Sequence, residues 1–152
     1  RAANRKNNFD AEAFLVAEDS LYIFTKNWID GQTNIYRLPK KAGQYSAQKV
    51  DQMDVKGLIT DLCFDPIENR LLFTAYYNFI PFVIELTDFK IGQFSKGKMR
   101  KLILTIPKGC GGQIEGISFK GKDQFYITTE SMRGLSACLY TFVLKNKTYY
   151  KK

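Results

Sequence analysis

The chain of 152 residues contains no histidine, only three cysteines and a single tryptophan. The absence of histidine excludes, within this chain, zinc sites with imidazole ligands and the Ser-His-Asp and Cys-His arrangements of nucleophilic enzymes. Cys63, Cys110 and Cys138 lack the Cys-x-x-Cys spacing of a metal or redox pair, and their odd number argues against a disulfide framework. Cysteine chemistry is therefore not expected to carry the function.

Long apolar runs and helical periodicity are also missing. No apolar stretch approaches the ~20 residues of a membrane-spanning helix, so no membrane span is expected. No window keeps apolar residues at helical spacing over ten residues, and glycine or proline interrupts most stretches long enough to do so. With 45% apolar and 25% charged residues, the composition is that of a globular domain, and almost no helix is expected in it.

One short pattern occurs three times, each time with an acidic residue at its start. Glu12, Asp61 and Glu115 open the segments 12–16, 61–65 and 115–119, at intervals of 49 and 54 residues. Each segment is followed by a polar turn and a second apolar run (21–25, 70–74, 124–129), then by a third run (34–38, 82–86, 138–142) and a weaker fourth (47–53, 100–106, 148–150). A period of about 50 residues built from four short strands is typical of a β-propeller blade.

The repeat predicts an all-β fold of three four-stranded antiparallel blades, half of a six-bladed β-propeller. The blade-like units cover about 8–55, 56–108 and 109–152. Closed propellers contain roughly four to eight blades, and an arc of three would leave two apolar faces in water. We therefore expect the missing half of the propeller, or a second copy of this chain, as a partner. A compact antiparallel sandwich or barrel is the alternative fold.

Several segments resemble a known group of proteins. They are 8–14 (NFDAEAF), 19–27 (DSLYIFTKN), 33–39 (TNIYRLP), 57–60 (GLIT) and 113–117 (QIEGI). These strings are similar to the second half of secreted, largely uncharacterised bacterial β-propeller proteins. The resemblance implies a propeller fold and an extracellular or outer-membrane-associated location in a bacterium, but it implies no particular reaction.

The three acidic residues suggest a site on the propeller axis. Innermost strands line the channel of a propeller, so Glu12, Asp61 and Glu115 are predicted to converge near one mouth. Crowded carboxylates need a neutraliser, and Ca²⁺, which takes six to eight oxygen ligands, is the one cofactor that the pattern suggests. In the alternative interpretation Lys26 and Glu130, at the ends of second strands, pair with the acidic ring without any metal. Catalytic carboxylates are a third possibility.

Aromatic residues mark a second candidate site. Trp28 lies between the second and third strands of the first unit, and Tyr76 and Tyr77 occupy the corresponding place in the second. Such connections open on one surface of a propeller, where large side chains recognise a protein or glycan partner. Packing between neighbouring blades is the alternative role for these rings.

The net charge of +8 does not point to nucleic acid. The 23 lysines and arginines of the chain are dispersed through turns and outer strands. Nucleic-acid binders concentrate such residues on one face, so a nucleic-acid partner is not favoured. The favoured function is a non-catalytic extracellular or cell-surface binding module or scaffold for a protein or glycan. The alternative is a Ca²⁺-dependent propeller hydrolase, similar to lactonases and phosphotriesterases, with its metal at the channel mouth.

Overall fold

The computed structural model describes residues 7–111, 113–132 and 134–144. Within them the chain forms eleven β-strands in three antiparallel sheets. Sheet 1 contains β1 (Asp10–Ala17), β2 (Ser20–Lys26), β3 (Thr33–Pro39) and β4 (Gln48–Met53). Sheet 2 contains β5 (Leu58–Asp65), β6 (Arg70–Tyr77), β7 (Ile80–Thr87) and β8 (Lys98–Ile103). Sheet 3 contains β9 (Ile114–Gly121), β10 (Gln124–Thr129) and β11 (Cys138–Val143).

The strands coincide with the repeated runs of the sequence, so the predicted all-β class is confirmed. Tight turns at 18–19, 66–69 and 122–123 join each first strand to the second strand of its sheet. Asn69 and Asp123 have positive φ in these turns, a backbone conformation that Asn and Asp tolerate well. The predicted fourth strand of the third unit, at 148–150, lies outside the described residues.

Sheet 2 lies between sheets 1 and 3, and its two faces belong to two different hydrophobic clusters. Leu71 and Phe73 of β6 pack in the cluster shared with sheet 1, whereas Leu72 packs in the cluster shared with sheet 3. β5 contacts both β1 and β9, so the first strands of the three sheets lie side by side. In the described part of the chain this stack is open at both ends and does not close into a ring.

The position of each sheet explains its sequence pattern. β6 and β7 are buried on both faces, which is why their sequences are almost continuously apolar. β10 alternates between exposed and buried residues, because only one of its faces is covered. Burial therefore differs between the middle sheet and the outer sheets even though all three arise from the same repeat.

A buried ion cluster fastens sheet 2 to sheet 3 at the turn between β5 and β6. The Arg70 guanidinium donates to Asp65 at 2.9 Å, to Glu85 at 2.8 Å and to Asp123 at 2.6 Å. Burial lowers the pKa of Arg70, but the hydrogen bonds to Asp123, Glu85 and Asp65 outweigh that effect and raise it. The guanidinium therefore stays charged, and its bond to Asp123 crosses between the two sheets.

The structure corrects the expectation that the cysteines form no disulfide. Cys110 and Cys138 are bonded, with their Cα atoms 5.6 Å apart, and the bond ties the segment before β9 to the start of β11. Cys63 remains a free thiol, and burial raises its pKa to about 12. An odd number of cysteines thus means only that one of them is left without a disulfide partner.

No helix in the described ranges is long and apolar enough to span a membrane.

Candidate functional site

The first strand of each sheet carries a β-bulge near its start. Two of the three bulge positions are occupied by predicted acidic residues. The extra residue is Glu12 in β1, Thr60 in β5 and Glu115 in β9. Asp61 follows the bulge instead of forming it, so the alignment of three acidic residues is wrong by one position in the second unit. Because a shift of one residue moves a strand side chain to the other face, Asp61 points differently from the two glutamates.

Glu12 is paired with a lysine inside the protein. The Lys26 ammonium lies 2.9 Å from Glu12 Oε1, and Lys26 is buried. Burial lowers the pKa of Lys26, but the hydrogen bond to Glu12 and the nearby negative charges, that of Glu115 among them, outweigh this effect and raise it. Burial also raises the pKa of Glu12, although its bond to Lys26 opposes that change. Lys26 is therefore paired with one of the three acidic residues, Glu12, and its pairing with a ring of carboxylates stays a prediction.

The side chain of Asp61 joins two sheets by accepting hydrogen bonds from backbone N–H groups. One carboxylate oxygen accepts the amide N–H of Ile117 at 2.9 Å, which belongs to sheet 3, and the other accepts the N–H of Leu62 at 2.8 Å. Burial raises the pKa of Asp61, whereas these two amide donors lower it, and burial prevails. The side chain thus already has two protein donors.

Glu115 lies near the same lysine and near a second glutamate, Glu130. Glu115 Oε1 accepts a hydrogen bond from the Gln113 amide at 2.7 Å. Burial raises the pKa of Glu115, the Gln113 bond and the charge of Lys26 lower it, and the charge of Glu130 raises it further. Glu130 itself is exposed, just after β10.

These contacts bear on the predicted Ca²⁺ site. Across residues 7–111, 113–132 and 134–144, no group of three or more His, Cys, Asp or Glu side chains is arranged to hold a metal ion. Glu12, Asp61 and Glu115 each bind a different protein donor, so their geometry does not favour a shared cation. Calcium binding stays a prediction.

The ends of the strands create a cleft of about 670 Å³ between sheets 1 and 2. One wall is the loop 28–31 after β2, the floor is the connection 54–58 between the two sheets, and the other wall is the turn 77–78 after β6. Trp28 and Tyr77, both predicted from the sequence as binding residues, line this cleft. The volume falls within the roughly 300–1,000 Å³ of pockets that bind small ligands or anchor side chains.

The Trp28 wall is held by the start of the chain's first strand. The indole N–H donates to Asp10 Oδ2 at 2.9 Å, which fixes the plane of the ring. Asn8 binds the next two residues of the loop, donating to Asp30 Oδ2 at 2.9 Å and accepting the N–H of Ile29 at 3.0 Å. Gly31, at a φ of 65°, then turns the chain back towards β3. The loop is therefore preformed.

The Tyr77 wall is the tip of the β6–β7 hairpin, a two-residue turn with an unusual sequence. Asn78 and Phe79 have φ values of 48° and 63°, as a type I′ turn requires at both central positions. Asn suits this conformation, but a bulky Phe adopts it at a cost in free energy. Strain of this kind concentrates at functional loops, and Tyr77, Phe79 and Ile80 are all exposed here.

Lys26 lies behind the aromatic wall. Its ammonium is 5.3 Å from the Trp28 ring centroid and 5.6 Å from that of Tyr76, which is buried. Such cation–π contacts fix the two rings around one charge. Trp28 and Tyr77 therefore line the cleft, whereas Lys26 and Tyr76 support it from behind. Glu130 follows β10 of sheet 3 and is not among the lining residues.

Three charged residues of the cleft were not anticipated from the sequence. Asp30, Asp54 and Lys56 line it, and Asp54 Oδ1 also accepts the N–H of Lys56 at 3.2 Å. Asp30 precedes Gly31, a pair typical of turns, so it would be interpreted as a turn residue alone. The two carboxylates against one ammonium give the cleft the opposite sign to the chain as a whole.

The function of this cleft has to be inferred from its geometry. No family model, no curated protein and no solved structure matches this chain.

Proposed function

We propose that the protein is a non-catalytic binding module that holds a segment of a partner protein in the cleft between the loop 28–31 and the hairpin tip 77–80. The observation that carries the proposal is that Trp28 and Tyr77 line the same opening of about 670 Å³. Trp and Tyr are the residues most enriched where a few side chains dominate binding. One ring is held by hydrogen bonds and the other lies on a tight turn, so little order has to be gained on binding.

A protein partner is favoured over a glycan by the residues around the opening. Ile29 lines the cleft and is exposed, and so are Phe79 and Ile80, which follow the lining residues 77–78 along the chain. Aliphatic side chains find complementary surface on another protein, whereas sugar binding relies on aromatic faces and hydrogen bonds. Asp30 and Asp54 add negative charge to the lining, which favours a partner segment with a basic residue near its anchor.

We further propose that the three sheets are blades of half a six-bladed β-propeller of the secreted bacterial kind, located outside the cell or at the outer membrane. The side-by-side arrangement of β1, β5 and β9 supports this interpretation, because propeller blades meet through their first strands. The Cys110–Cys138 disulfide supports the location, since disulfides persist in oxidising compartments.

The alternative function, a calcium-dependent hydrolase, has no comparable support. Its three proposed ligands are engaged by Lys26, by the amides of Leu62 and Ile117, and by Gln113. The binding module is therefore the function that the contacts favour.

A displayed random-peptide library, panned against the purified protein, tests the proposal. Trp28 is the chain's one tryptophan and lines the cleft, so peptides that bind there should change its fluorescence. Tyr77→Ala should weaken their binding at least about tenfold, as expected for an aromatic anchor. Tyr45→Ala is the matched control, because Tyr45 is also an exposed tyrosine but lies outside the cleft.

Two results would count against a protein partner. Selection of no peptides, or of peptides that bind Tyr77→Ala and the unmodified protein equally well, would remove the cleft as the binding site. Binding to a glycan array that Tyr77→Ala abolishes would keep the cleft and replace the partner by a glycan.

A further inference from the structure

The two ends of the sheet stack are apolar, and no residue of 7–111, 113–132 or 134–144 covers them. The outer face of sheet 1 presents Phe14 and Val16 of β1, with Leu21 and Ile23 of β2 beside them, and it carries a shallow cleft of about 180 Å³. The outer face of sheet 3 presents Tyr126, Leu139 and Val143, with a shallow cleft of about 290 Å³ beside Tyr126 and Leu139. These surfaces are called the sheet-1 outer face and the sheet-3 outer face.

Neighbouring sheets meet twice within the described residues, once between sheets 1 and 2 and once between sheets 2 and 3. The same strand positions meet in both junctions. In each sheet, the residue just after the bulge of the first strand pairs with a residue of the second strand. That second-strand residue pairs in turn with one residue of the third strand. These residues are Ile35, Val83 and Leu139. Two positions after the bulge, the first strands carry Phe14, Leu62 and Ile117.

Four of these six residues form the two internal junctions. Ile35 of sheet 1 and Leu62 of sheet 2 belong to one buried cluster, at 0% and 8% exposure. Val83 of sheet 2 and Ile117 of sheet 3 belong to the other, at 0% and 6% exposure. Each junction therefore joins the third-strand residue of one sheet to the first-strand residue of the next.

The remaining two residues are the unused halves of the same junction. Leu139 on the sheet-3 outer face is 67% exposed, and Phe14 on the sheet-1 outer face is 65% exposed. We propose that the sheet-3 outer face of one copy of this chain packs against the sheet-1 outer face of a second copy, and that two such junctions close a two-copy assembly of six sheets. Each sheet-1 outer face is thus covered by the sheet-3 outer face of the other copy.

The directionality of the stack argues for this pairing over contact between like faces. Both internal junctions join unlike faces, so a third junction of the same kind continues the register. Contacts between unlike faces form rings when the rotation closes, and six sheets lie within the roughly four to eight of closed propellers. The Asp61–Ile117 bond is not required in each junction, because Ala13 takes the place of Asp61 between sheets 1 and 2.

The inference rests on the half-propeller arrangement proposed above, but it does not involve the aromatic cleft. Sedimentation velocity on the purified chain tests it. The expected mass is twice the 17.5 kDa of one chain. A single-chain mass at every concentration tested, in a protein that still binds cleft peptides, would overturn the two-copy assembly and leave the binding function standing.

Two charged variants test which faces meet. Phe14→Glu and Leu139→Glu should each give the single-chain mass, because each places a carboxylate in both junctions of the assembly. Ile67→Glu is the matched control: Ile67 is an exposed apolar residue in the β5–β6 turn, outside both faces, and should keep the doubled mass. Unchanged far-ultraviolet circular dichroism would show that the variants are folded.

Mixing the two variants gives the sharpest result. A Phe14→Glu copy keeps an intact sheet-3 face and a Leu139→Glu copy keeps an intact sheet-1 face, so the mixture restores one junction and part of the doubled mass. Contact between two sheet-1 faces would instead leave Leu139→Glu at the doubled mass. That outcome, or a mass above two chains, would contradict the closed two-copy assembly.

Discussion

Replacement of Arg70 by methionine is the change from which the structure predicts a large loss of stability. The guanidinium is the shared donor to Asp65, Glu85 and Asp123, and Met fills a similar volume without replacing any of these bonds. Removing one side of a buried ion pair typically costs about 3–5 kcal/mol, because the other charge is left unpaired.

The remaining partners of the three carboxylates place Arg70→Met near the lower end of that range. Asp65 keeps the amide N–H of Ile67 at 2.9 Å, and Glu85 keeps the Arg100 guanidinium at 2.7 Å. Asp123, with its side chain 27% exposed, can be hydrated. The expected loss is therefore about 3 kcal/mol in the free energy of unfolding. For a chain of this size that corresponds to a fall in Tm of roughly 10 °C.

Urea unfolding measures this loss as a lower midpoint with an unchanged slope. Arg70→Lys should lie between Arg70→Met and the unmodified protein, because an ammonium keeps the charge but cannot span three carboxylates as a planar guanidinium does. Arg37→Met is the matched control: Arg37 is exposed on β3, so the change should stay within about 0.5 kcal/mol. A loss below about 1 kcal/mol for Arg70→Met, or one equal to that of Arg37→Met, would refute the role of the cluster.

Three further changes have defined outcomes. Burial raises the pKa of Glu115, so its contribution to stability is present below the ordinary glutamate pKa and is lost as the pH rises through the raised value. Glu115→Gln should therefore increase Tm at pH 7 and leave it unchanged near pH 3. Phe79→Gly should stabilise the protein by about 1 kcal/mol in urea unfolding, because Asn-Gly is the preferred type I′ turn, while it weakens peptide binding at the cleft. Reduction of Cys110–Cys138, separated by 28 residues, should cost about 3.5 kcal/mol, measured as the difference between urea midpoints with and without reductant.

Each of these outcomes can be contradicted. A Tm for Glu115→Gln below that of the unmodified protein at pH 7 would mean that the carboxylate stabilises the folded state. A loss of stability in Phe79→Gly would mean that the contacts of the Phe79 ring outweigh its backbone strain. Equal midpoints with and without reductant would indicate that the disulfide constrains a segment that does not unfold with the rest.

The strands could be predicted because the repeat is carried by short-range patterns. The apolar run of β6 and the alternation in β10 each lie within eight residues, and polar turns bound them. Trp28 and Tyr77 could be placed near strand ends for the same reason, since Trp28 lies two residues after β2 and Tyr77 is the last residue of β6. The bounds of β4 and β8 were also close to those predicted, although both strands are polar and exposed.

What the sequence could not provide depends on register and on long-range contact. A bulge at Thr60 shifts Asp61 by one residue, and no local pattern distinguishes a bulged from a regular strand. Arg70 meets Asp123 across 53 residues, and Asp123 on its own resembles an ordinary turn residue. Disulfide pairing similarly depends on which backbone segments approach each other, which an odd cysteine count does not reveal.

The burial of sheet 2 on both sides confines where this molecule can evolve new contacts. Residues 70–76 of β6 and 81–86 of β7 are buried, so recognition by these two strands has to use their exposed ends and the turns beside them, such as 66–69 and 77–80. A substitution on a bend changes what the protein touches and leaves the packing intact. A substitution within β6 instead disturbs one of the two apolar layers on which the architecture depends.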